Sequence, residues 1–204
     1  MAHIDYYLFG QSPFTFLGHR ALKEMADRHG ATIGVKPVKL HDLWSNSGAV
    51  PTPEQTPVRQ RYEMIELQRA AHARGIAINL NPRHFPIDIE LADRCAIAII
   101  ETGGDAFDYI EAVGRGVWSD EANLSLEADI ASRLTATGHD AAAIIARART
   151  DEIEAIRARN TAEAIAADAV GVPAYVLNGE VFFGQDRIAA LEQAIFESRA
   201  PFMA

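Results

Sequence analysis

The sequence predicts an α/β fold in which a large all-helical insertion separates a βαβ half from a ββα half. A strand–helix–strand pattern fills the first 40 residues. Roughly a hundred residues of helical signal follow, and the chain closes on helix, hairpin and helix. The hairpin is the sharpest of these signals. Val172-Pro173 precedes the apolar run 174–177, Asn178-Gly179 breaks it, and a second apolar run leads into Gly184-Gln185-Asp186-Arg187. Asn-Gly between two such runs suits a type I′ turn, in which both central residues need φ > 0. A proline just before a strand has no N–H to give the ladder, so it sits at a strand start or carries a cis bond.

The elements follow in order. Residues 4–9 alternate loosely and are rich in aromatic side chains, which suits a strand. Gly10-Gln11-Ser12-Pro13 breaks the pattern, with Ser12 placed as an N-cap and Pro13 at the first helical position. Phe16, Leu17, Leu22 and Met25 then fall on a helical period that stops at Gly30, and residues 32–37 read as a short strand. Residues 41–57 read as a loop, because Ser45-Asn46-Ser47-Gly48 and the prolines at 51, 53 and 57 oppose regular structure. A loop of that length inside a domain is functional or mobile. Residues 58–74 form a helix stopped by Gly75, residues 79–86 are irregular and extended, and helices are predicted over 91–102, 106–116, 121–134, 141–148, 151–169 and 188–197. The domain organisation expected is one sheet-bearing unit from residues 1–40 and 150–204, with the loop and inserted helical domain at 41–149.

Composition narrows the function. The chain has 204 residues, of which 49% are hydrophobic, enough to fill a sizeable core. Its net charge of −9 argues against nucleic acid as a partner, since phosphate binding needs a basic surface. A single cysteine, Cys95, allows neither an internal disulfide nor a cysteine-based zinc site, and it lies in an apolar helix pattern typical of an inert core thiol. The histidine spacings fit no metal motif, so no metal is expected. With no secretory signal pattern at the start and no run long enough for a membrane span, a soluble, cytoplasmic protein is expected.

Ser12-Pro13-Phe14-Thr15 follows the first strand at the start of the first helix. A helix N-terminus offers unpaired N–H groups and a positive dipole end, which favour a bound anion. Taken alone, Ser12 reads as an ordinary cap, and Gln185 with Asp186 as a cap and a first-turn acid. The order of elements resembles a thioredoxin fold, in which Cys-x-x-Cys would stand where this chain has Ser12-Pro13-Phe14-Thr15; dithiol chemistry is therefore excluded. Ser-Pro-Phe, Val172-Pro173 and Gly184-Gln185-Asp186-Arg187 together resemble the 2-hydroxychromene-2-carboxylate isomerase family. That family is related to kappa-class glutathione transferases and to DsbA-like proteins, and the resemblance covers essentially the whole chain.

The resemblance implies roles. Ser12 would hydrogen-bond the sulfur of glutathione and lower its pKa. Val172 would pair its backbone with the cysteinyl part, Pro173 would be the cis proline, and Gln185 and Asp186 would hold the γ-glutamyl end. Near the start of the inserted helices the family often has a Lys three residues before a Tyr; here Arg59 stands before Tyr62, with Arg61 a competing candidate. Arg can hold a carboxylate, but through a planar fork rather than a point charge. The segment Asn81-Pro82-Arg83-His84-Phe85-Pro86 resembles a family stretch that can line the substrate pocket, or else is a loop packed by Phe85. Trp44 and Trp118 read either as pocket walls or as core. The implied activity is isomerisation of an aromatic-derived unsaturated keto acid with glutathione as cofactor, in a homodimer. The alternatives are a kappa-like transferase or peroxidase, and a non-catalytic thiol- or peptide-binding protein.

Overall fold

β1 (His3–Leu8) pairs in parallel with β2 (Thr32–Pro37) and antiparallel with β3 (Ala174–Leu177), and β3 forms a hairpin with β4 (Glu180–Phe183). The sheet order is thus β2-β1-β3-β4. The computed structural model describes residues 1–203. A parallel neighbour cannot be reached by a tight turn, so α1 (Pro13–His29) makes the crossover from β1 to β2. The hairpin turns on Asn178 (φ 53°) and Gly179 (φ 90°), as the Asn-Gly pair predicts.

Alternation along the central strand covers both faces of the sheet. Ile4, Tyr6 and Leu8 of β1 pack with Leu17, Leu22 and Met25 of α1 and with Leu191 of α9 (Ile188–Glu197). Tyr7 points the other way, into a smaller cluster with Val38, Leu43, Ala164, Ala174 and Val176. Leu8, Leu17 and Leu22 are fully buried, and burial of each such side chain contributes about 1.5–3 kcal/mol.

Between the halves lie α2 (Leu40–Ser47), a 3-10 turn (Thr52–Glu54), α3 (Pro57–Arg74), α4 (Glu90–Glu101), α5 (Phe107–Trp118), α6 (Glu127–Ala136), α7 (Ala141–Ala148) and α8 (Asp151–Ala166). A second 3-10 turn, Gln185–Arg187, precedes α9. Ile97 and Ile99 of α4, Tyr109 and Val113 of α5, Leu134 of α6 and Ile145 of α7 join the same apolar cluster as the sheet and α1. The inserted helices therefore share one continuous core with the sheet.

Two sequence expectations are corrected. Residues 41–57 are not a loop throughout, because α2 occupies Leu40–Ser47. Leu40 and Leu43 are buried and Gly48 caps the helix at φ 72°, its N–H bonded to Trp44 O. The tertiary contact outweighs the Ser-Asn-Ser signal: Leu43 fills the second sheet face, and Thr161 of α8 accepts Lys39 N–H at 2.9 Å. The helix expected over 121–134 begins only at Glu127. Glu121 has φ 56°, outside the helical region, and Leu124 is fully buried in the turn that follows.

His19 joins three elements from inside the core. Tyr6 O–H meets His19 Nδ1 at 3.2 Å, and Nε2–H donates to Phe107 O at 2.9 Å, since a carbonyl can only accept. Burial holds the imidazole neutral and pushes its pKa down to about 4. The unfolded chain takes up this proton near pH 6.5, so stability is full above that pH and falls as pH drops toward 4. The stability difference between wild type and His19→Gln should shrink by about 2 kcal/mol between pH 7.5 and pH 5, read from denaturant unfolding at each pH. A pH-independent difference would remove His19 as a buried neutral base.

Candidate active site

The site residues gather at the end of the sheet where β1 stops and β3 begins. Tyr7 pairs with Ala174, so both chains leave the sheet together, one toward Ser12 and the other back from Pro173. Ser12 is buried at the N-cap of α1, with φ −69° and ψ 123°. Its Oγ accepts Thr15 N–H at 3.2 Å, which uses a lone pair and leaves the hydroxyl proton to donate. Pro13 has no N–H, and Phe16 N–H closes the first helical bond on Ser12 O at 3.1 Å. Phe14 N–H and Ser12 Oγ–H are thus the open donors of this turn, at the positive end of a 17-residue helix.

The Val172-Pro173 peptide is cis. Pro173 O accepts Gly184 N–H at 2.8 Å, which ties this loop to the turn carrying Gln185 and Asp186. Val172 is half-buried. Gly184 takes φ 98° and ψ 148°, a region open essentially only to glycine. A Cβ there would meet Asp186 Oδ1 at 2.6 Å, so the glycine lets the carboxylate fold over the turn. Asp186 is exposed and paired with Arg187 at 2.9 Å. Gln185 packs on α1, its Cβ 2.7 Å from where a Cβ on Gly18 would stand.

Arg59 stands apart from these residues, exposed on α3. Of the nineteen Lys and Arg side chains, four have no carboxylate within 4 Å among the described residues: Arg59, Arg61, Arg74 and Arg83. All four lie on α3 or just beyond it. Arg74 is engaged with Gln185, which leaves Arg59, Arg61 and Arg83 as the cations free to meet an anion in an acidic chain.

The sequence reading did not single out several groups that build the site. Arg74, in the last turn of α3, binds Gln185. Gln11 clamps residue Ile87, donating to its O at 3.0 Å and accepting its N–H at 3.1 Å. Those two bonds, with the Phe85 ring tilted against Trp118 at 4.8 Å between centroids, set segment 81–86 beside the start of α1; the segment turns, with Pro82 O accepting Phe85 N–H at 3.3 Å, rather than running extended as the sequence suggests. Trp118 is a core residue that donates to Gln11 O at 3.1 Å. Trp44 goes to the other side: a Cβ on Gly171 would sit 2.9 Å from the Phe183 ring and 3.7 Å from Trp44 Nε1. Trp44 and Phe183 therefore flank the approach to Val172. Cys95 is fully buried, and burial pushes its thiol up to about 12, so it takes no part in thiol chemistry.

Asp93 of α4 holds the loop in front of Ser12. Its Oδ1 accepts Gly10 N–H at 2.9 Å, while Oδ2 has no partner and lies 3.9 Å from Arg157 Nη2 of α8. At that separation the attraction does not offset desolvation, and burial raises the carboxyl to about 7. The sign is opposite to that of His19. Between about pH 4 and 7 the folded state holds a proton that the unfolded state has lost, so this group's contribution declines as pH rises. Asp93→Asn should therefore gain stability relative to wild type on going from pH 4.5 to pH 8, with Arg157 still near Glu90 at 3.6 Å. A difference that moves the other way would mean that Asp93 is ionised throughout.

A family model described as DSBA-like thioredoxin domain matches residues 3–196. The chain is 28% identical over 199 residues to a 2-hydroxychromene-2-carboxylate isomerase of Pseudomonas putida, covering 94% of this chain and 93% of that one. It is 27% identical over 197 residues to a protein of the same name from another Pseudomonas, covering 94% and 89%. Among solved structures, a 2-hydroxychromene-2-carboxylate isomerase superposes with a TM-score of 0.82 at 24% identity, covering 96% of this chain and 95% of that one. A match running through both halves of the sheet and the helices between them makes this chain a member of the DSBA-like thioredoxin domain family.

Proposed function

We propose that the protein is a glutathione-dependent isomerase acting on an aromatic-derived unsaturated keto acid, in the manner of 2-hydroxychromene-2-carboxylate isomerase. The carrying observation is the turn at Ser12. A hydroxyl proton and the Phe14 N–H are open at the N-terminus of α1, and no cysteine stands there to do redox chemistry. The likeness to two proteins named 2-hydroxychromene-2-carboxylate isomerase over nearly the whole chain supports the reaction class.

The residues fit glutathione by the chemistry of their free groups. Val172 N–H and C=O make no hydrogen bond to the described residues, so an extended peptide can pair with them as a short strand does. Asp186 supplies an accessible acceptor for an ammonium group, and Gln185 an amide beside it. Bound glutathione would supply a thiolate nucleophile for reversible addition to the substrate's conjugated double bond. Ser12 Oγ–H and Phe14 N–H stabilise negative charge on sulfur, which lowers the pKa of the thiol. Trp44 and Phe183, beside Gly171, and the 81–86 segment, tied to Gln11 through Ile87, are the groups that would orient an aromatic-derived substrate. Arg59, Arg61 and Arg83 are the free cations available to its carboxylate.

Thiolate absorbance of bound glutathione, followed against pH, should show ionisation well below that of the free tripeptide; an unshifted thiol would leave a binding protein rather than an enzyme. With 2-hydroxychromene-2-carboxylate as substrate, Ser12→Ala should lower kcat about a hundredfold while changing glutathione affinity less than about threefold. Equal losses in both would reduce Ser12 to a cap. Asp186→Asn should weaken glutathione far more than an analogue lacking the α-amine, and an unchanged preference would remove Asp186 from the site.

A further inference from the structure

Arg74 grips one residue of the candidate site from behind. Its Nε donates to Gln185 Oε1 at 3.0 Å, and Nη2 donates both to Oε1 at 2.7 Å and to the backbone O of Gln185 at 3.0 Å. A guanidinium has no acceptor, so the amide oxygen must be the atom that faces it. What the amide has left for a ligand is Nε2, a donor. The side chain is also confined on its far flank by the close approach of its Cβ to Gly18 of α1. Arg74 has no carboxylate within 4 Å among the described residues, so its charge falls on a neutral amide. Charge-assisted bonds of this kind polarise the amide and strengthen its N–H groups as donors.

The neighbouring groove does not account for this arginine. About 630 Å³ of open space between α1, α3 and α5 has Phe16 and Arg74 in its wall. The other two arginines there, Arg20 and Arg115, are already paired with Glu111 and Asp120.

We propose that Arg74 is a positioning residue for recognition of an α-amino-acid end. By holding Gln185 through its oxygens, it fixes a strong donor for the ligand's α-carboxylate beside the Asp186 acceptor for its ammonium. The inference rests on the glutathione reading of the site and assigns the γ-glutamyl end to a fixed donor–acceptor pair. A lysine in place of Arg74 can donate to these oxygens from one nitrogen but lacks the second donor that Nε places on Oε1 in a fixed plane.

The test is calorimetric titration of the full chain and its variants with two probes. One is glutathione; the other carries γ-aminobutyrate in place of the γ-glutamyl group and so keeps an amine but lacks the α-carboxylate. Arg74→Met should weaken glutathione about tenfold and leave the second probe unchanged. Arg74→Lys should recover part of the loss. Arg74→Met with Gln185→Ala should bind no more weakly than Gln185→Ala alone, because Arg74 acts through Gln185. Undiminished glutathione binding by Arg74→Met, full additivity with Gln185→Ala, or an equal loss for both probes would each overturn the proposal. Should Arg74→Met fail to fold, Arg74→Lys carries the test, with about a threefold loss expected for glutathione alone and an unchanged affinity overturning the proposal. Failure of the wild type to bind millimolar glutathione is a different result: it defeats the reading of the site, and this inference with it.

Discussion

The N–H of Gly10 ends on a carboxylate that belongs to the inserted helices. Asp93 accepts that bond at 2.9 Å, and its oxygen stands where a Cβ on Gly10 would be, only 2.5 Å away. The turn leading to Ser12 is therefore seated against α4, and any side chain at position 10 would lift it. Asp93 in turn lies beside Arg157, which places α8 under the same turn. Asn160 and Thr161 extend the link: Asn160 Nδ2 donates to Pro37 O at 3.2 Å, and Thr161 accepts Lys39 N–H. The loops at the end of β1 and at the end of β2 are thus both held by polar side chains of the helical block. A contact this deep, at 3.9 Å and with the carboxyl raised to about 7 by burial, adds little net stability and serves better as a locator.

The opposite side of the candidate site is built from backbone. Pro173 O accepts Gly184 N–H, and Gly184 uses a conformation closed to other residues. Arg74 fixes Gln185 against α1. The result is a helix N-terminus, an unpaired stretch of chain at Val172 and a donor–acceptor pair at 185–186, each held by a different element. Charge is distributed to match. The chain is acidic, yet the cations without carboxylate partners cluster at residues 59–83, where an anionic ligand would gain most from them.

Much of this is legible in the chain because it depends on local geometry. Asn178-Gly179 sets its own turn, Ser12-Pro13 caps its own helix, and Gly30 and Gly75 end theirs with positive φ. α2 was obscured because its polar residues favour a loop locally, and only the cluster around Leu43 makes a helix worthwhile. Residues 121–126 misled for the converse reason. Their pattern is helical, but Asn123 N–H bonds Asp129 Oδ2 and Glu121 turns back toward Asn79 and Arg83.

The sequence by itself determined the order of elements, the hairpin, the cap at Ser12 and the absence of a dithiol. The first three follow from the apolar period and from the φ, ψ and hydrogen-bonding preferences of residues within a few positions of one another, and the last from the single cysteine. Tertiary structure alone decided that Asp93 would meet Gly10, that Arg74 rather than Arg59 would reach Gln185, and that Trp44 would flank Val172 while Trp118 joined the core. Those partners are separated by 83 to 128 positions. Nothing in the local pattern ranks one charged or aromatic side chain above another over such distances; the packing of α3, α4 and α8 around the sheet does.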